Sequence, residues 1–224
     1  MALQIQWFGQ SAFRLTDGVS VVMIDPFGPL NATGRSDLRF DYRAIAVQPA
    51  DLLLITPEHA DHNHAEAVSG SPLVVRSTAG TFESPLGPVT AIASEHDAVA
   101  GTRRGPNTIF AFSLAGFRIA HFGDFGQAAL RPEQLAALGP IDLAFLPVGG
   151  GPTIDGVQAA ALSRTIGASW VVPMHYRTPA ISFLDNADAF MAAMEHRHEE
   201  SSASAAIGPS ANEGPTALLL APPS

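Results

Sequence analysis

Short apolar runs separated by turn residues fill the first half of the chain, a pattern that is typical of β-strands. The runs at 3–8, 11–16 and 19–25 predict a meander of three strands, in which Asp17-Gly18 forms a hairpin turn. The segment 26–49 has no clean period and many turn residues, so we expect a long surface loop there. The continuous apolar run at 51–55 has the length of a buried strand.

After this buried strand, strand-like runs return behind a short helix, and the second half of the chain then alternates strands and helices. We expect a short helix at about 61–68, followed by strands at 73–76, 89–93, 108–114 and 117–122. The second half predicts strands at 141–146 and 169–173 between helices at about 132–138, 155–166 and 186–196. This alternation indicates parallel strands covered by helices. The Ser-, Ala- and Gly-rich segment at about 199–215 predicts a flexible excursion before a final strand at 216–220.

Composition narrows the chemistry that these elements can carry. The 224 residues include 12 basic and 21 acidic side chains, for a net charge of −9, and there is no lysine and no cysteine. The lack of lysine excludes a Walker-type phosphate lysine and a Schiff base. The lack of cysteine excludes disulfides, thiolate nucleophiles and cysteine-ligated metals. A serine hydrolase is disfavoured because the Gly-x-Ser-x-Gly motif does not occur.

The charge balance also bears on partners and location. An acidic chain without clustered cations is a poor partner for nucleic acid or an anionic membrane, so we expect neither. No apolar run approaches the roughly 18 residues of a membrane span, and the first residues do not resemble a signal peptide. We therefore expect a cytoplasmic protein with one domain over residues 1–224. A small-molecule substrate is expected, and a homo-oligomer is compatible with the sequence.

Metal-ligating side chains cluster directly after the predicted buried strand. His59, Asp61 and His62 lie within four residues, at a point where the strand gives way to a turn. Imidazole and carboxylate groups together suit Zn²⁺, Mn²⁺ or Fe²⁺. A solvated polar loop is the alternative interpretation, and for a lone histidine it would be the better one.

Three later segments strengthen the metal interpretation. The segments 94–97, 121–124 and 173–176, which contain further His and Asp residues, each come at the end of another predicted strand. Strand ends at one edge of an open sheet are where ligands collect. Since a single loop cannot surround an ion with enough donors, this convergence predicts a metal site built from distant segments.

With these residues in place, the chain resembles the metallo-β-lactamase-fold hydrolases, whose motif is His-x-His-x-Asp-His after a strand, then a His, a Gly-Asp and a final His. The resemblance covers about residues 3–177 and is greatest to the small-hydrolase branch that includes L-ascorbate-6-phosphate lactonase. It rests also on IQWFGQSAFRL, VVMIDPF, GPNTIFAF, HFGDFG and VVPMHY. The resemblance implies an α/β fold, a four-layer αββα sandwich of mixed sheets with helices on the outer faces.

The resemblance also implies a division of the ligands between two ions. One position would take the first His of the motif together with His59 and His96. The other would take Asp61, His62 and His175, with Asp124 between the two. In this chain Pro57 stands where the motif begins with His, and proline has no side-chain donor. We therefore expect one firmly bound ion, zinc first with manganese or iron as alternatives, and a weaker or empty second position.

Glu58 and His64 lie close to Pro57 in the sequence and could replace the missing histidine ligand. Glu58 is next to Pro57 but should point away from His59 if the chain is extended there. His64 would compensate only if its loop turns back toward the site.

The activity implied is hydrolysis of an ester, lactone or phosphoester by a metal-bound hydroxide, with Asp61 orienting or deprotonating the water. Asp25 and His121 would hold ligand imidazoles in one tautomer. Residues beside the motifs are candidates for substrate binding, although a surface or structural role is favoured for each of them: Arg103, Arg104, Asn107, Tyr176 and Arg177. The loop Gly149–Thr153 fits either an anion-binding turn or a plain connector. The alternative function is a non-catalytic metal-binding or ligand-sensing protein on the same fold.

Overall fold

The computed structural model describes residues 2–30 and 40–223, so part of the predicted loop 26–49 lies outside the described residues. The strands are β1 (Leu3–Gly9), β2 (Ala12–Thr16), β3 (Val21–Ile24), β4 (Gln48–Pro49), β5 (Leu52–Ile55), β6 (Val68–Ser69), β7 (Leu73–Arg76), β8 (Gly80–Ser84), β9 (Gly87–Glu95), β10 (Pro106–Leu114), β11 (Phe117–His121), β12 (Leu143–Pro147), β13 (Trp170–Met174), β14 (His196–Glu199), β15 (Ser204–Ile207) and β16 (Thr216–Leu219). The helices are α1 (Pro132–Leu138), α2 (Gly156–Ile166), α3 (Asp188–Ala193) and a 3-10 helix at Ala65–Ala67.

Two large mixed sheets form the body of the fold, and β4 and β6 pair as a small parallel sheet of their own. The first has the order β15-β1-β2-β3-β5-β7, in which β15 to β3 are antiparallel and β3, β5 and β7 are parallel. The second has the order β14-β16-β13-β12-β11-β10-β9-β8, antiparallel from β8 to β11 and parallel beyond. Both the predicted meander and the predicted parallel strands of the second half are confirmed.

The main core lies between the sheets. Strand β5 shows why a continuous apolar run was needed, because its side chains alternate between two buried environments. Leu52 and Leu54 belong to the large core cluster, whereas Leu53 and Ile55 belong to a smaller cluster on the other face of the first sheet. A strand that is buried on both faces cannot carry polar side chains at alternate positions.

The outer layers differ between the sheets. Helices α1 and α2 contact strands β9 and β12 of the second sheet, and α3 packs against α2. Over the first sheet, the smaller cluster includes Tyr42, Ile45, Ala67 and Ile181, which lie in irregular chain and in the 3-10 helix. The α/β sandwich is confirmed, but in the described residues irregular chain replaces α-helix on this face. The segment 40–50 lacks the 3.6-residue period that a covering helix needs.

Three predicted elements need correction. The segment 61–68 is helical only at Ala65–Ala67, because its backbone donors turn to other parts of the chain, as His64 N–H does to the carbonyl of Pro26 (2.9 Å). The helix predicted at 186–196 ends at Ala193, and β14 follows it at the edge of the second sheet. Within the segment expected to be flexible, β15 pairs with β1, since its alternate residues Ala205 and Ile207 are buried. No helix in the described part of the chain is long and apolar enough to span a membrane.

Candidate metal centre

Both sheets contribute to one site at the ends of their strands. From the first sheet, Asp25 follows β3, and His59, Asp61 and His62 lie in the turn after β5. From the second sheet come the residues after β9, β11 and β13, namely His96, Asp124 and His175. All six candidate ligands fall into two groups: His59, His96 and Asp124, and Asp61, His62 and His175. Within each group the donor atoms lie within 4.8 Å of one another.

Asp124 lies at the centre of the site, with its carboxylate buried. Its Oδ2 atom lies 2.6 Å from His96 Nε2, 3.1 Å from His62 Nε2 and 3.7 Å from His59 Nδ1. Its Oδ1 atom lies 3.4 Å from His175 Nε2. One carboxylate therefore touches imidazoles of both groups, which is the arrangement that the resemblance implies for a residue between two ions.

Asp25 fixes the orientation of His62. A carboxylate only accepts hydrogen bonds, so His62 Nδ1–H donates to Asp25 Oδ2 (3.0 Å), and both side chains are fully buried. Asp25 also accepts from the backbone N–H of Thr56 (2.7 Å) and from its hydroxyl (2.6 Å). In the neutral ring, Nε2 then carries a lone pair and points into the site. The sequence reasoning did not single out Thr56, although it directly precedes Pro57 of the motif.

His96 is oriented in the same way by a different partner. Its Nδ1–H donates to the backbone carbonyl of Pro152 (3.1 Å), which again leaves Nε2 as a lone-pair atom facing Asp124. Pro152 belongs to the loop Gly149–Thr153, so this loop supports the site and is more than a connector. No sequence signal identifies a carbonyl as the partner of a distant histidine.

These hydrogen bonds provide a test of whether a cation fits the site. With both Nδ1–H groups donated elsewhere, the Nε2 atoms of His62 and His96 converge with their lone pairs on a single oxygen of Asp124. Lone pairs at 2.6 to 3.1 Å repel one another unless a proton or a metal ion lies between them. Among the candidate ligands, His62 Nε2 has no hydrogen-bond partner in the described residues, and neither have two other buried atoms, Asp124 Oδ1 and His175 Nδ1. The residues present therefore fit a divalent cation.

The charges around the site also favour a bound cation. Burial alone would lower the pKa of His62, but the carboxylates of Asp124, Asp61 and Asp25 hold that pKa well above its ordinary value. Burial would raise the pKa of Asp124, whereas His62 and His175 hold it well below its usual range. Three carboxylates around one buried imidazole thus favour a positive charge at this point, which a metal ion supplies without protonating its ligands.

The turn that carries Asp124 is held from two sides. Asn107, fully buried, accepts from the backbone N–H of Asp124 (3.0 Å) and donates to the carbonyl of Phe122 (2.8 Å). His121 accepts at Nδ1 from the N–H of Gly123 (3.2 Å), so its Nε2–H donates to the carbonyl of Ser11 (3.0 Å). Asn107 thus supports the site without facing a substrate.

For His121 the expected role was wrong. Its two ring nitrogens bond backbone groups and do not hold the imidazole of a candidate ligand. The physical reason is its place on β11, which directs the ring between the sheets against Phe13 and Phe145. Burial lowers the pKa of His121 to about 4, against the weaker opposing effect of Asp25, so the ring is neutral at pH 7.

The backbone is in the left-handed region at three non-glycine residues around the site. Gln10, Asp25 and His175 have φ values of 48°, 46° and 51°. The N–H of His175 donates to the carbonyl of Gln10 (3.2 Å), which also accepts from the indole of Trp7 (2.9 Å). Such conformations cost of order 1–3 kcal/mol each and concentrate at functional sites. The β1–β2 turn therefore helps to position His175, a role for Gln10 that the sequence reasoning missed.

Gly126 allows the chain to fold closely against the site. A Cβ atom at this position would lie 2.6 Å from the backbone N of Asp97 and 2.6 Å from the carbonyl carbon of His96. Its own N–H donates to the carbonyl of Glu95 (2.9 Å). The strand end that carries His96 and the turn that carries Asp124 can approach each other only because this residue is glycine.

The remaining candidates lie apart from the ligand groups. Glu58 is turned outward and binds Arg76 (2.7 and 3.1 Å), as expected for a residue that points away from His59. His64 lies against Gly28 and 3.3 Å from Glu66, so it does not take the place left by Pro57. In the described residues no other His, Asp or Glu joins the group of His59, His96 and Asp124.

Tyr176 is a core residue in this fold. It is buried beside Trp7, with ring centroids 5.3 Å apart, and burial raises the pKa of its hydroxyl. The packing therefore gives Tyr176 a structural role, which the sequence favoured over substrate binding. The ring instead supports the turn after β13, where the preceding residue is His175.

Comparison with known proteins agrees with this geometry. A family model described as a beta-lactamase superfamily domain matches residues 4–175. A UPF0173 metal-dependent hydrolase from Methylobacterium nodulans is 31% identical over 86% of this chain and 92% of its own length. Another from Nitratidesulfovibrio vulgaris is 30% identical over 80% and 82%. A crystal structure from Thermotoga maritima, assigned as a Zn-dependent hydrolase of the metallo-β-lactamase superfamily, superposes with a TM-score of 0.76 at 24% identity, covering 98% of this chain and 100% of that one.

Proposed function

The chain belongs to the β-lactamase superfamily and is a metal-dependent hydrolase, and from this premise we propose that it cleaves an ester, lactone or phosphoester bond of a small molecule at the site around Asp124. The relatives are enzymes by name, which sets aside a purely ligand-sensing role. We further propose zinc as the resident ion, because mixed imidazole and carboxylate donors suit it.

One observation carries the proposal. His62 and His96 each commit Nδ1–H to a fixed acceptor, Asp25 and the Pro152 carbonyl, and each aims Nε2 at the same oxygen of Asp124. A purely structural cluster would pair donors with acceptors. Here acceptors face acceptors, which is favourable only when a proton or a metal ion lies between them, and a metal ion serves both imidazoles at once.

The residues around the site would have different roles in the reaction. A divalent ion bound at this site would lower the pKa of a water molecule toward 7 and polarise the bond under attack. Asp61 is 27% exposed at its side chain and His59 is 42% exposed, whereas His62, His96 and His175 are buried. Substrate and water therefore reach the site from the Asp61 and His59 side. We propose that Asp61 accepts a proton from the attacking water and orients it.

We propose that the two positions differ in affinity. The group of Asp61, His62 and His175, with Asp124, has buried imidazoles, and Asp25 orients one of them. The group of His59, His96 and Asp124 contains the half-exposed His59 and has Pro57 where the motif carries His. Fewer donors, one of them exposed to water, bind an ion less tightly, so the second position should exchange its ion more readily.

Substituting Pro57 tests this difference directly. Pro57→His should raise the affinity of the weaker position and add close to one equivalent of retained zinc per chain. Pro57→Ala removes the proline ring without adding a donor and serves as the matched control. Equal zinc retention by both variants would contradict the proposed role of position 57.

The activity itself is tested with the purified chain and a panel of chromogenic esters, lactones and phosphodiesters. Turnover should vanish after chelation and return with zinc. Asp61→Ala should reduce kcat by at least 100-fold, while Asp51→Ala, an exposed carboxylate that binds the N–H of Val21, should not. Unchanged turnover in Asp61→Ala would refute its assigned role.

A further inference from the structure

A cavity of about 600 Å³ opens beside the candidate metal centre. Its lining includes Asp97, which follows His96, and Gly126, which lies two residues beyond Asp124. It also includes Pro152, whose carbonyl accepts the hydrogen bond from His96. The volume is in the range of small-molecule sites. A ligand in this cavity therefore lies next to the His96 side of the centre.

Two neighbouring cations, Arg103 and Arg104, also line this cavity. Both residues are exposed, and neither guanidinium pairs with a carboxylate anywhere in residues 2–30 and 40–223. Other arginines of the chain do have acidic partners, as Arg76 does with Glu58. In a chain of net charge −9, two adjacent guanidinium groups with no acidic partner in the described ranges create a local positive field at the mouth of a cavity.

Asp97 also lines the cavity, and its carboxylate is hydrogen-bonded to backbone N–H groups. It accepts from the N–H groups of Val99 (2.9 Å), Gly101 (2.8 Å), Arg103 (2.9 Å) and Arg104 (2.9 Å). Four hydrogen bonds to one carboxylate hold the turn in a single conformation. The two arginines are thus presented from a fixed backbone, and the acidic group nearest to them in sequence is occupied.

We propose that Arg103 and Arg104 form an anion subsite, which binds a carboxylate or phosphate group of the substrate while the bond to be cleaved lies at the metal centre. This inference rests on the proposed function and narrows its substrates to anionic small molecules. Guanidinium groups bind both kinds of oxyanion through paired N–H donors, with a directionality that an ammonium group lacks.

Anion binding by the full, metal-loaded chain provides the first test. Inorganic phosphate and succinate are titrated separately, and binding is followed by calorimetry. The double variant Arg103→Gln/Arg104→Gln should bind the preferred anion at least tenfold more weakly than the unaltered chain. The anion that binds with the higher affinity identifies the chemical group, phosphate or carboxylate, that the subsite binds.

A matched double variant controls for net charge. Arg164→Gln/Arg197→Gln removes the same two charges, and each of these side chains makes only a 3.4 Å contact to a backbone carbonyl. It should bind both anions as the unaltered chain does. Equal anion affinity in all three proteins would mean that the anions bind at the metal alone, and would overturn the subsite.

Kinetics with two esters separate this inference from the proposed function. The ratio of kcat/KM for mono-4-nitrophenyl succinate to that for 4-nitrophenyl acetate should fall at least tenfold in Arg103→Gln/Arg104→Gln. An unchanged ratio would overturn the placement of the subsite in the path of the substrate. Arginine-dependent anion binding without hydrolysis of any ester would instead contradict ester cleavage and leave the subsite standing.

Discussion

Replacing Asp25 by Asn tests how the site is built, because it replaces one hydrogen-bond acceptor of a fully buried side chain by a donor. Asparagine keeps the size of the side chain and tolerates the left-handed backbone at this residue, where φ is 46°. Its oxygen can still accept from the N–H of Thr56, as Asp25 Oδ1 does at 2.7 Å. Its NH₂ group then faces Nδ1 of His62, where the carboxylate oxygen accepted at 3.0 Å.

A donor in that place forces His62 into the other tautomer. Nδ1 must accept, so Nε2 becomes N–H and donates to Asp124 across 3.1 Å, which removes the lone pair that would bind the ion. Loss of such an orienting partner typically costs 10–100-fold in metal affinity, or about 1.4–2.8 kcal/mol. The fold should persist, because the backbone N–H of Thr56 keeps its acceptor and the Thr56 hydroxyl, which donated to Oδ2 at 2.6 Å, can turn to accept from the new NH₂ group.

The assay is competition for zinc against a chromophoric chelator, with long-range ¹H–¹⁵N spectra of the imidazoles to report the tautomer. Asp51→Asn is the matched control, since its carboxylate accepts one backbone N–H of the same sheet at an exposed position. Folded Asp25→Asn protein that binds zinc within twofold of the unaltered chain would refute the reasoning. So would an unchanged tautomer of His62.

Two further predictions concern stability. Gly126→Ala should lower the free energy of unfolding by about 1–3 kcal/mol, because its methyl group meets backbone at 2.6 Å, whereas Gly208→Ala, with open space around the added Cβ, should not; urea titration of both variants decides. The neutral, buried His121 has a folded-state pKa of about 4 against an ordinary 6.5, so the unfolded chain binds the proton more readily. Its contribution is complete above about pH 6.5 and is lost, by roughly 3 kcal/mol, as the pH falls toward 4. His121→Asn should flatten this part of the stability profile, and identical profiles would contradict the assignment.

Much of the fold can be predicted from the sequence where the local residue pattern and the tertiary structure favour the same element. The predicted strand at 73–76 and helix at 132–138 match β7 and α1 residue for residue. Strands β8 and β15 escaped prediction because each alternates small or polar residues at a sheet edge, with little apolar signal. Their formation depends on the partner strand more than on their own composition.

The helix expected at 61–68 failed for a different reason. Its polar side chains and backbone donors are used by the site: His62 is held by Asp25, and the N–H of His64 bonds Pro26. Tertiary contacts therefore outweighed local helix propensity.

For the site, strand ends and residue chemistry indicated the segments, and the resemblance to the metallo-β-lactamase fold selected within them the six residues that the structure brings together. The partners that orient them were harder to foresee. Asp25 could be inferred because its carboxylate is a chemical signal in the sequence. The carbonyls of Pro152 and Gln10 could not, since every residue has a carbonyl and only the fold selects which one is used.

The most direct test of the central claim is the metal content and location in the purified chain. After dialysis against a weak chelator, elemental analysis should return close to one equivalent of zinc per chain. An anomalous-scattering map should place that ion among Asp61, His62, Asp124 and His175. Two equivalents at full occupancy after the same dialysis would contradict the proposed inequality of the two positions. An ion-free site in protein produced with abundant zinc would contradict the metal centre itself.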